Sequence, residues 1–436
     1  MNRESSKLNE TTEPLPQARS LYAVALTLLF AAPAVFYRIS GGELPPAVAL
    51  FVFGSAVVCG AFMLTWASET AKVDLPQGVS VALLALVAVL PEYVVDMIFA
   101  WKAGKDPDQF APLALANMTG SNRLLIGFGW PLVVLLAVWS WRRRGVRITK
   151  IDLSRTLSIS ITFLGLATLY SLHFPLRGTI NLFDTAVLLA IFVAFIVRVR
   201  KTPKEEPELL GPGVYIGNLP SRSRRLWYIG MFVISAAIIL ASADPFAEAL
   251  VAAGEQLGID RFLLVQWLAP IASESPEILA VTIFAWRRQA AQGLETLISA
   301  KLNQWTLLVG FIPVAFALSS GSLHGLPIVA MQREELLLTA AQSAFAVVIL
   351  INLDLTVIEA VVLLVLFMIQ FVLSMVLPEG PIRSVERVGI SVMYLIGAAI
   401  FGVKRWRLAV RNFIDGVWRD VAELSRDRSA PGPTRD

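Results

Sequence analysis

Two pairs of carboxylates lie inside segments of the sequence that are otherwise almost wholly apolar. Glu92 and Asp96 are four residues apart, and Glu274 and Glu277 are three apart, so on a helix each pair shares one face. A charge at the centre of a bilayer costs at least ~2.5–3.5 kcal/mol on insertion scales, and something must compensate that cost. Carboxylate and carbonyl oxygens are the ligands of hard cations. The spacing therefore predicts that these residues bind a cation at membrane depth.

A proline stands directly before one glutamate of each pair, Pro91 before Glu92 and Pro276 before Glu277. A proline inside a helix removes one backbone hydrogen bond and frees the carbonyl four residues earlier. Freed carbonyls at membrane depth are tolerated only where they line a cavity or find partners. We therefore expect broken helices whose carbonyl oxygens add to the cation site.

The sequence around these prolines occurs twice. Pro-Glu, five residues and Ile-Phe-Ala-Trp appear at 91–101 and again at 276–286, which gives six identities at one spacing. Each copy leads to a second apolar segment with a polar cluster, ANMTGSNRLLIG at 116–127 and SAKLNQWTLLVG at 299–310. This pattern indicates an internal duplication.

The composition indicates that these segments cross a membrane. Of 436 residues, 56% are hydrophobic and 16% are charged, against roughly 25% charged in an average soluble domain. Apolar runs of about 20 residues recur along the chain, and each can cross a hydrocarbon core of ~30 Å. We predict an all-α polytopic membrane protein with about 12 transmembrane helices. The predicted spans are 20–39, 46–68, 78–101, 111–139, 155–172, 179–198, 226–245, 262–286, 294–319, 335–352, 356–376 and 388–403. The fourth is too long for a simple crossing, so we expect tilt or a break.

Basic residues collect in alternate loops, which predicts an orientation. The segment 141–155 holds six basic residues and one acidic residue, whereas 244–261 and 320–335 are acidic or balanced. With a cytoplasmic N-terminus, every strongly basic loop lies on the same side. We therefore predict cytoplasmic N- and C-termini in a multi-pass protein of the cell (plasma) membrane. The helix with Glu92 then runs outward and the helix with Glu277 inward, so the two halves are inverted repeats, as in many secondary transporters.

Both copies resemble the α-repeats of the sodium/calcium exchanger family, within the calcium/cation antiporter superfamily. Those repeats pair a Pro-Glu helix with a Gly-Asn-x-x-Gly-Ser-Asn helix, and the resemblance covers about 80 residues closely in two blocks. The second copy departs from the pattern, because AKLNQW lacks Gly-Ser-Asn and Lys301 falls within about one residue of the expected asparagine. The first copy has Ala116 where a glycine is usual. The residues that it keeps are Pro91, Glu92, Asn117, Gly120, Ser121 and Asn122.

The resemblance implies two inverted-topology repeats of five helices, to which this chain adds one extra span at each end. A Pro- and charge-rich segment, KTPKEEPELLGPG, separates the halves as a linker. The predicted domains are an N-terminal cytoplasmic tail (1–19), a first membrane half (20–198) with the first α-repeat at about 78–139, a cytoplasmic linker (199–225), a second membrane half (226–403) with the second α-repeat at about 262–319, and a C-terminal cytoplasmic tail (404–436).

The resemblance implies that Glu92 and Glu277 coordinate the cation, whereas Asp96 and Glu274 are added from their spacing alone. The inverted repeat predicts that all four meet near the bilayer midplane as one pocket. We expect Lys301 to pair with these carboxylates and to couple cation entry to the counter-ion. The predicted cation ligands are Glu92, Asp96, Asn117, Ser121, Asn122, Ser273, Glu274, Glu277 and Asn303.

Other interpretations stay open for several of these residues. The carboxylates could pair structurally inside the bundle, and Ser and Asn could only hold helices together. Lys301 could snorkel to an interface instead of entering the site. Arg123 either lies at a bundle corner or pairs with Asp96. A third group of acidic residues near span ends is expected to cap helices: Asp184, Asp354 and Glu359.

The function that these patterns predict is secondary-active cation antiport by alternating access. Calcium against sodium is the family default, and proton-coupled sodium or calcium exchange is the alternative because of Lys301. A cation channel is less favoured, since inverted repeats with broken helices argue against a continuous filter-lined pore. No enzyme is expected, because the chain lacks a GxGD pair, a Ser–His dyad and zinc-ligand spacing. We expect no cofactor beyond the transported cations, membrane lipid and small cations as partners, and no nucleic acid.

Overall fold

The computed structural model describes residues 17–75, 90–202 and 209–426. Nearly all of them form helices, and 11 of these helices are long and apolar enough to cross a membrane. They overlap all the predicted spans except 78–101, which begins outside the described residues and continues as helix α3. The helices are α1 (Gln17–Ser40), α2 (Pro46–Ala71), α3 (Leu90–Lys105), α4 (Pro107–Leu124), α5 (Trp130–Arg142), α6 (Ser158–Ser171), α7 (Leu182–Val199), α8 (Pro212–Gly217), α9 (Ser221–Leu257), α10 (Arg261–Trp286), α11 (Ala290–Asn303), α12 (Val309–Ser320), α13 (Ala330–Ile349), α14 (Val357–Val376), α15 (Pro381–Lys404), α16 (Trp406–Val417) and α17 (Val421–Arg426).

Each half contains one long span that is interrupted by a π-helical turn. Leu125–Gly129 joins α4 to α5, and Gln304–Leu308 joins α11 to α12. The break expected in the fourth span is therefore confirmed. Turns of this kind are rare in helices and frequent at functional sites. Both turns begin inside the polar segments of the duplicated sequence, but four residues out of register, because Leu125 corresponds to Leu308 and the second turn begins at Gln304.

The helix that contains the seventh predicted span, 226–245, extends well beyond residue 245. Helix α9 continues through Pro245 to Leu257, so most of the segment expected as an acidic loop is helical. Neighbouring helices can satisfy the backbone group that a proline frees, and Pro245 does not end the helix. The helix ends where Gly258 adopts φ = 65°, a left-handed conformation that glycine tolerates without strain.

Two short antiparallel ribbons connect the halves. Strand β1 (Lys150–Asp152) pairs with β4 (Asp354–Thr356), and β2 (Thr179–Ile180) pairs with β3 (Leu326–Pro327). Paired strands must lie on the same side of the membrane, and α6 separates β1 from β2. We call the side with β1 and β4 the basic face and the side with β2 and β3 the opposite face. With these faces fixed, α3 and α10 cross in opposite directions, as inverted repeats require.

The acidic residues expected to cap helices have two different roles. Asp184 forms a capping box with Asn181 at the start of α7, and Glu359 forms one with Thr356 at the start of α14. Those two predictions are confirmed. The prediction for Asp354 is wrong, because its carboxylate lies 3.1 Å from Lys150 Nζ and ties the β1–β4 ribbon together instead.

Candidate cation site

The first carboxylate pair is buried on α3. The amide of Asn117, on α4, donates to Asp96 Oδ1 at 2.7 Å. Asp96 Oδ2, Asn117 Oδ1 and Glu92 Oε2 are buried and accept no hydrogen bond among the described residues. A buried polar atom without a partner costs free energy, and natural proteins rarely tolerate several of them together. These oxygens therefore indicate a place where another partner binds.

The second pair lies on α10 and is held by the first repeat. Ser121 Oγ donates to Glu274 Oε1, which also accepts from Gln304 Nε2 at 2.8 Å. Gln304 Nε2 lies 3.0 Å from Ser121 Oγ as well, so residues of α4, α10 and the second π turn form one polar cluster. Glu274 Oε2, Glu277 Oε2 and Gln304 Oε1 are further buried oxygens without a partner in the described chain. Gln304 was not among the predicted ligands, because a neutral glutamine within the second polar cluster carries no signal of its own.

The four carboxylates are neighbours, but they do not form a single cage in this conformation. Glu92 interacts electrostatically with Glu274, Glu277 and Asp96. Even so, no three carboxylate, histidine or cysteine side chains in the described ranges come close enough to hold one metal ion together. The predicted four-carboxylate pocket is therefore not formed as such. Like charges repel each other, and Asp96 and Glu274 each accept hydrogen bonds from different amide or hydroxyl donors.

Lys301 is fully buried between the two repeats. Its Nζ lies 2.5 Å from Asn122 Oδ1 and 4.3 Å from the centroid of the Trp305 ring. The alternative that it snorkels to an interface is wrong, since its side chain has no exposed surface. Pairing with a carboxylate is also wrong for this conformation, because no acidic oxygen of the described residues forms an ion pair with it. The Asn122 amide and the Trp305 indole face contact its ammonium, and Glu274 interacts with it only at longer range.

The carbonyls freed by proline have their own partners where they can be seen. Ser275 Oγ donates to the carbonyl of Ala272, which Pro276 leaves without its helical donor, at 3.0 Å. This carbonyl therefore has one partner within its own helix, and its contribution to the cation site stays a prediction. The corresponding carbonyl before Pro91, at residue 87, lies outside the described residues. Ser273, a predicted ligand, bonds to carbonyls of its own helix.

Comparison with known proteins identifies the family. The profile of the sodium/calcium exchanger protein family matches residues 45–200 and 227–376. The chain belongs to this family. Its structure is similar to the crystal structure of the H+/Ca2+ exchanger CAX, at 37% identity and a TM-score of 0.86, covering 94% of this chain and 100% of that one. No curated protein matches the sequence significantly.

More distant structures share the fold alone. Native YfkE is 15% identical with a TM-score of 0.59, and the match covers 82% of this exchanger and 99% of YfkE. The sodium-calcium exchanger NCX_Mj is 17% identical with a TM-score of 0.50, covering 77% of this chain and 99% of that one. The predicted architecture of two inverted repeats in an all-α membrane protein is thereby confirmed. The exchanger is an integral multi-pass membrane protein, and members of its family are transporters.

Arg123 has a partner that the sequence did not indicate. Its Nη2 lies 2.6 Å from Glu335 Oε2, on α13, and its guanidinium stacks 5.1 Å from the Trp267 ring. Both expectations for Arg123, a bundle corner or a pair with Asp96, are wrong. Glu335 also accepts from Gln266 Nε2 at 3.0 Å and lies 3.5 Å from Arg387 Nη1 on α15. Glu335 was expected at the edge of a loop, and its pairing with Arg123 compensates the cost of burying that guanidinium.

Gly120 explains how closely the site helices approach. A side chain at this position of α4 would collide with the backbone carbonyl of Gln266, on α10. The absence of a side chain lets α4 and α10 touch through their backbones. Ser121, the next residue, then reaches Glu274. The glycine of the polar motif thus positions the hydroxyl that holds the second carboxylate pair.

Proposed function

We propose that this exchanger carries calcium in exchange for protons. The cation binds between the carboxylates of α3, Glu92 and Asp96, and those of α10, Glu274 and Glu277. The observation that carries the proposal is the buried ammonium of Lys301, which occupies the region where the family pattern has an asparagine. A fixed positive charge replaces a neutral oxygen ligand there.

Charge balance favours a divalent substrate. With its four carboxylates and Lys301 all ionised, the site has a net charge of three negative units. A divalent cation gains twice the attraction of a monovalent one and tolerates the repulsion from Lys301 better. Protons neutralise the remaining carboxylates one at a time and need no shell of oxygen ligands. Sodium, by contrast, requires several oxygens, and the second repeat has lost its Gly-Ser-Asn.

The side-chain amides of Asn117 and Gln304 can bind either a carboxylate or the cation. Asn117 and Gln304 now donate N–H groups to Asp96 and Glu274, while their own oxygens have no partner among the described residues. When calcium arrives, these carbonyl oxygens can turn toward it as ligands. The same two side chains therefore hold the carboxylates without metal and bind the metal when it is present. The π turns in the same two long spans give each of them a point at which its halves can shift.

The 37% identical relative supports this assignment, because it is described as an H+/Ca2+ exchanger. We place the basic face in the cytoplasm of a cell membrane, since loops rich in Lys and Arg remain on that side. In a Cys59→Ser background, Arg222→Cys tests this orientation with an impermeant thiol reagent. We expect labelling only after the cells are permeabilised, and labelling of intact cells would reverse the orientation.

Flux through reconstituted vesicles tests the ions. We expect calcium uptake that saturates, that follows an imposed pH gradient, and that does not respond to a sodium gradient. Protein-free vesicles and vesicles with Glu92→Gln are the controls. Uptake driven by sodium and insensitive to pH would establish sodium coupling instead. Uptake that needs no counter-ion on the other side would indicate a channel.

A further inference from the structure

Helix α16 packs against the protein through its polar side. Of its 12 residues, Asn412, Asp415 and Gly416 are buried. Thr162 Oγ1, on α6, donates to the carbonyl of Asn412 at 3.0 Å. Gly416 lies so close to Thr162 that any side chain there would collide with it. The polar side of this amphipathic helix therefore faces inward, which is the reverse of a helix on a soluble domain.

Both halves of the exchanger hold α16 at the basic face. Arg155 Nη2, just after β1, lies 3.1 Å from Asp415 Oδ2. Arg198, at the end of α7, donates to the carbonyl of Gly416 at 3.0 Å. From the second half, the carbonyl of Ile351 accepts from the amide of Asn412. These contacts fix which side of the helix is turned away from the protein.

The side turned away is apolar. The apolar stripe of α16 follows the spacing i, i+4, i+7, i+8 and i+12, which is one helical face. Its residues are Trp406, Val410, Phe413, Ile414 and Trp418, all of them exposed. The helix begins two residues after the membrane-spanning α15 ends at Lys404, so the stripe lies next to the lipid that surrounds that span.

A pair of basic residues borders this stripe. Arg407 and Arg411 are exposed, one helical turn apart, and neither forms an ion pair within the described part of the chain. Tryptophans mark both ends of the stripe, with 57% of Trp406 and 69% of Trp418 exposed. Apolar residues flanked by arginines and aromatic rings are the features of a helix that lies in the plane of the membrane interface.

We infer that α16 is an interfacial helix that binds the anionic phospholipid headgroups on the basic face of the membrane. The apolar stripe enters the acyl layer, and Arg407 and Arg411 meet the headgroup phosphates above it. Each basic residue near an anionic surface strengthens the attraction roughly fivefold. Since α16 contacts α6, α7 and the turn before β4, lipid bound here acts on both halves at once.

Lipid-selective quenching tests this inference on the full-length protein, whatever ions it carries. In a Cys59→Ser background, Val410→Cys carries a fluorophore, and the protein is reconstituted in phosphatidylcholine vesicles. The vesicles contain a small fraction of lipid with a nitroxide on its acyl chain and either a phosphatidylglycerol or a phosphatidylcholine headgroup. We expect both nitroxide lipids to quench the fluorophore. At low salt the phosphatidylglycerol form should quench at least about twofold more than the phosphatidylcholine form.

Two double variants test whether the lipid preference depends on Arg407 and Arg411 or on the total positive charge of the basic face. Arg407→Gln with Arg411→Gln should bring the quenching ratio to about one, as should roughly 0.5 M salt. Arg142→Gln with Arg144→Gln removes the same charge from the end of α5 on the same face, and should leave the ratio unchanged. Equal quenching by both lipids in the parent protein would overturn the inference, as would an unchanged ratio in the first variant. Protection from both quenchers would show that another protein surface covers the stripe.

Discussion

The ammonium of Lys301 and the amide oxygen of Asn122 lie 2.5 Å apart, and this hydrogen bond joins the polar helix of one repeat to that of the other. Cation entry places a second positive charge near this ammonium, because Glu274 interacts electrostatically with Lys301. We predict that Lys301 then moves away or loses its proton. Either event would couple the two ions through one side chain.

We predict that cation binding to the purified exchanger releases protons and that Lys301→Asn diminishes this release. The asparagine variant should also bind monovalent cations more tightly, because a neutral oxygen replaces a fixed charge. Lys301→Arg should diminish the release without that gain, since arginine retains its proton. Binding calorimetry in buffers of different ionisation heat measures the protons directly. Unchanged release in both variants would place Lys301 outside the coupling.

The paired glutamates should be necessary for transport and dispensable for folding. Glu92→Gln and Glu277→Gln keep the side-chain volume but remove a negative charge from a site that binds cations. We expect exchange in vesicles to fall to near background in each variant, with normal membrane insertion and a normal gel-filtration profile. Glu255→Gln, at an exposed position near the end of α9, is the matched control and should retain full exchange. Wild-type rates in both site variants would move the site elsewhere.

Gln304 should act on calcium affinity through its amide oxygen. Gln304→Met fills a similar volume but provides neither the N–H that holds Glu274 nor a hard ligand for the metal. We expect the KM for calcium to rise by about tenfold, which corresponds to ~1.4 kcal/mol. Gln304→Asn retains the amide on a shorter side chain, so its KM should lie between those of the parent protein and Gln304→Met. Equal KM values for all three proteins would make Gln304 a purely structural residue.

The buried ion pair of Arg123 and Glu335 should matter more to stability than any surface pair. Arg123→Met leaves the Glu335 charge without its main partner, and breaking a buried pair costs about 3–5 kcal/mol. Adding Glu335→Gln removes the unpaired charge and keeps a group for Gln266, so the double variant should be more stable than Arg123→Met alone. Thermal unfolding in detergent compares them. Arg261→Gln, in an exposed pair, should change stability by less than ~1 kcal/mol. A double variant as unstable as the sum of its parts would contradict this account.

An ion pair in the loop after α2 should make the stability of the protein depend on pH in the acid range. Arg224 donates to Asp74 through two nitrogens, and this holds the pKa of the Asp74 carboxyl below its ordinary value. Because the folded pKa is the lower one, the pair stabilises the fold above the unfolded pKa of about 3.9. That stabilisation is lost as the pH falls through the folded pKa. Asp74→Asn should therefore unfold at a lower temperature than the parent at pH 7, and the gap should close in acid. A difference in unfolding temperature that does not shrink as the pH falls below the unfolded pKa would assign the destabilisation to packing instead.

Residues that break the local pattern were predictable from the sequence, and residues whose role depends on a neighbour were not. Glu92 and Asp96 stand out because a carboxylate in an apolar run has a large desolvation cost. The duplicated motif predicted the second carboxylate pair and the opposite direction of its helix, and the pairing of the two ribbons agrees with that direction. Gln304 gives no such signal, since only the π turn and the approach of α10 bring it to Glu274. The arrangement of the four carboxylates in this conformation was not predictable for the same reason, because spacing along a helix does not determine how two helices meet.

The ribbons between the halves also determine when the protein can finish folding. Lys150 and Asp354 are 204 residues apart in sequence. While the second half is still being synthesised, β1 and β2 therefore present unpaired strand edges at the two membrane surfaces. Such edges attract any available partner, and pairing over so long a separation is slow. The first repeat must wait in the membrane with its helices inserted, and its structure is completed only when the last third of the chain arrives.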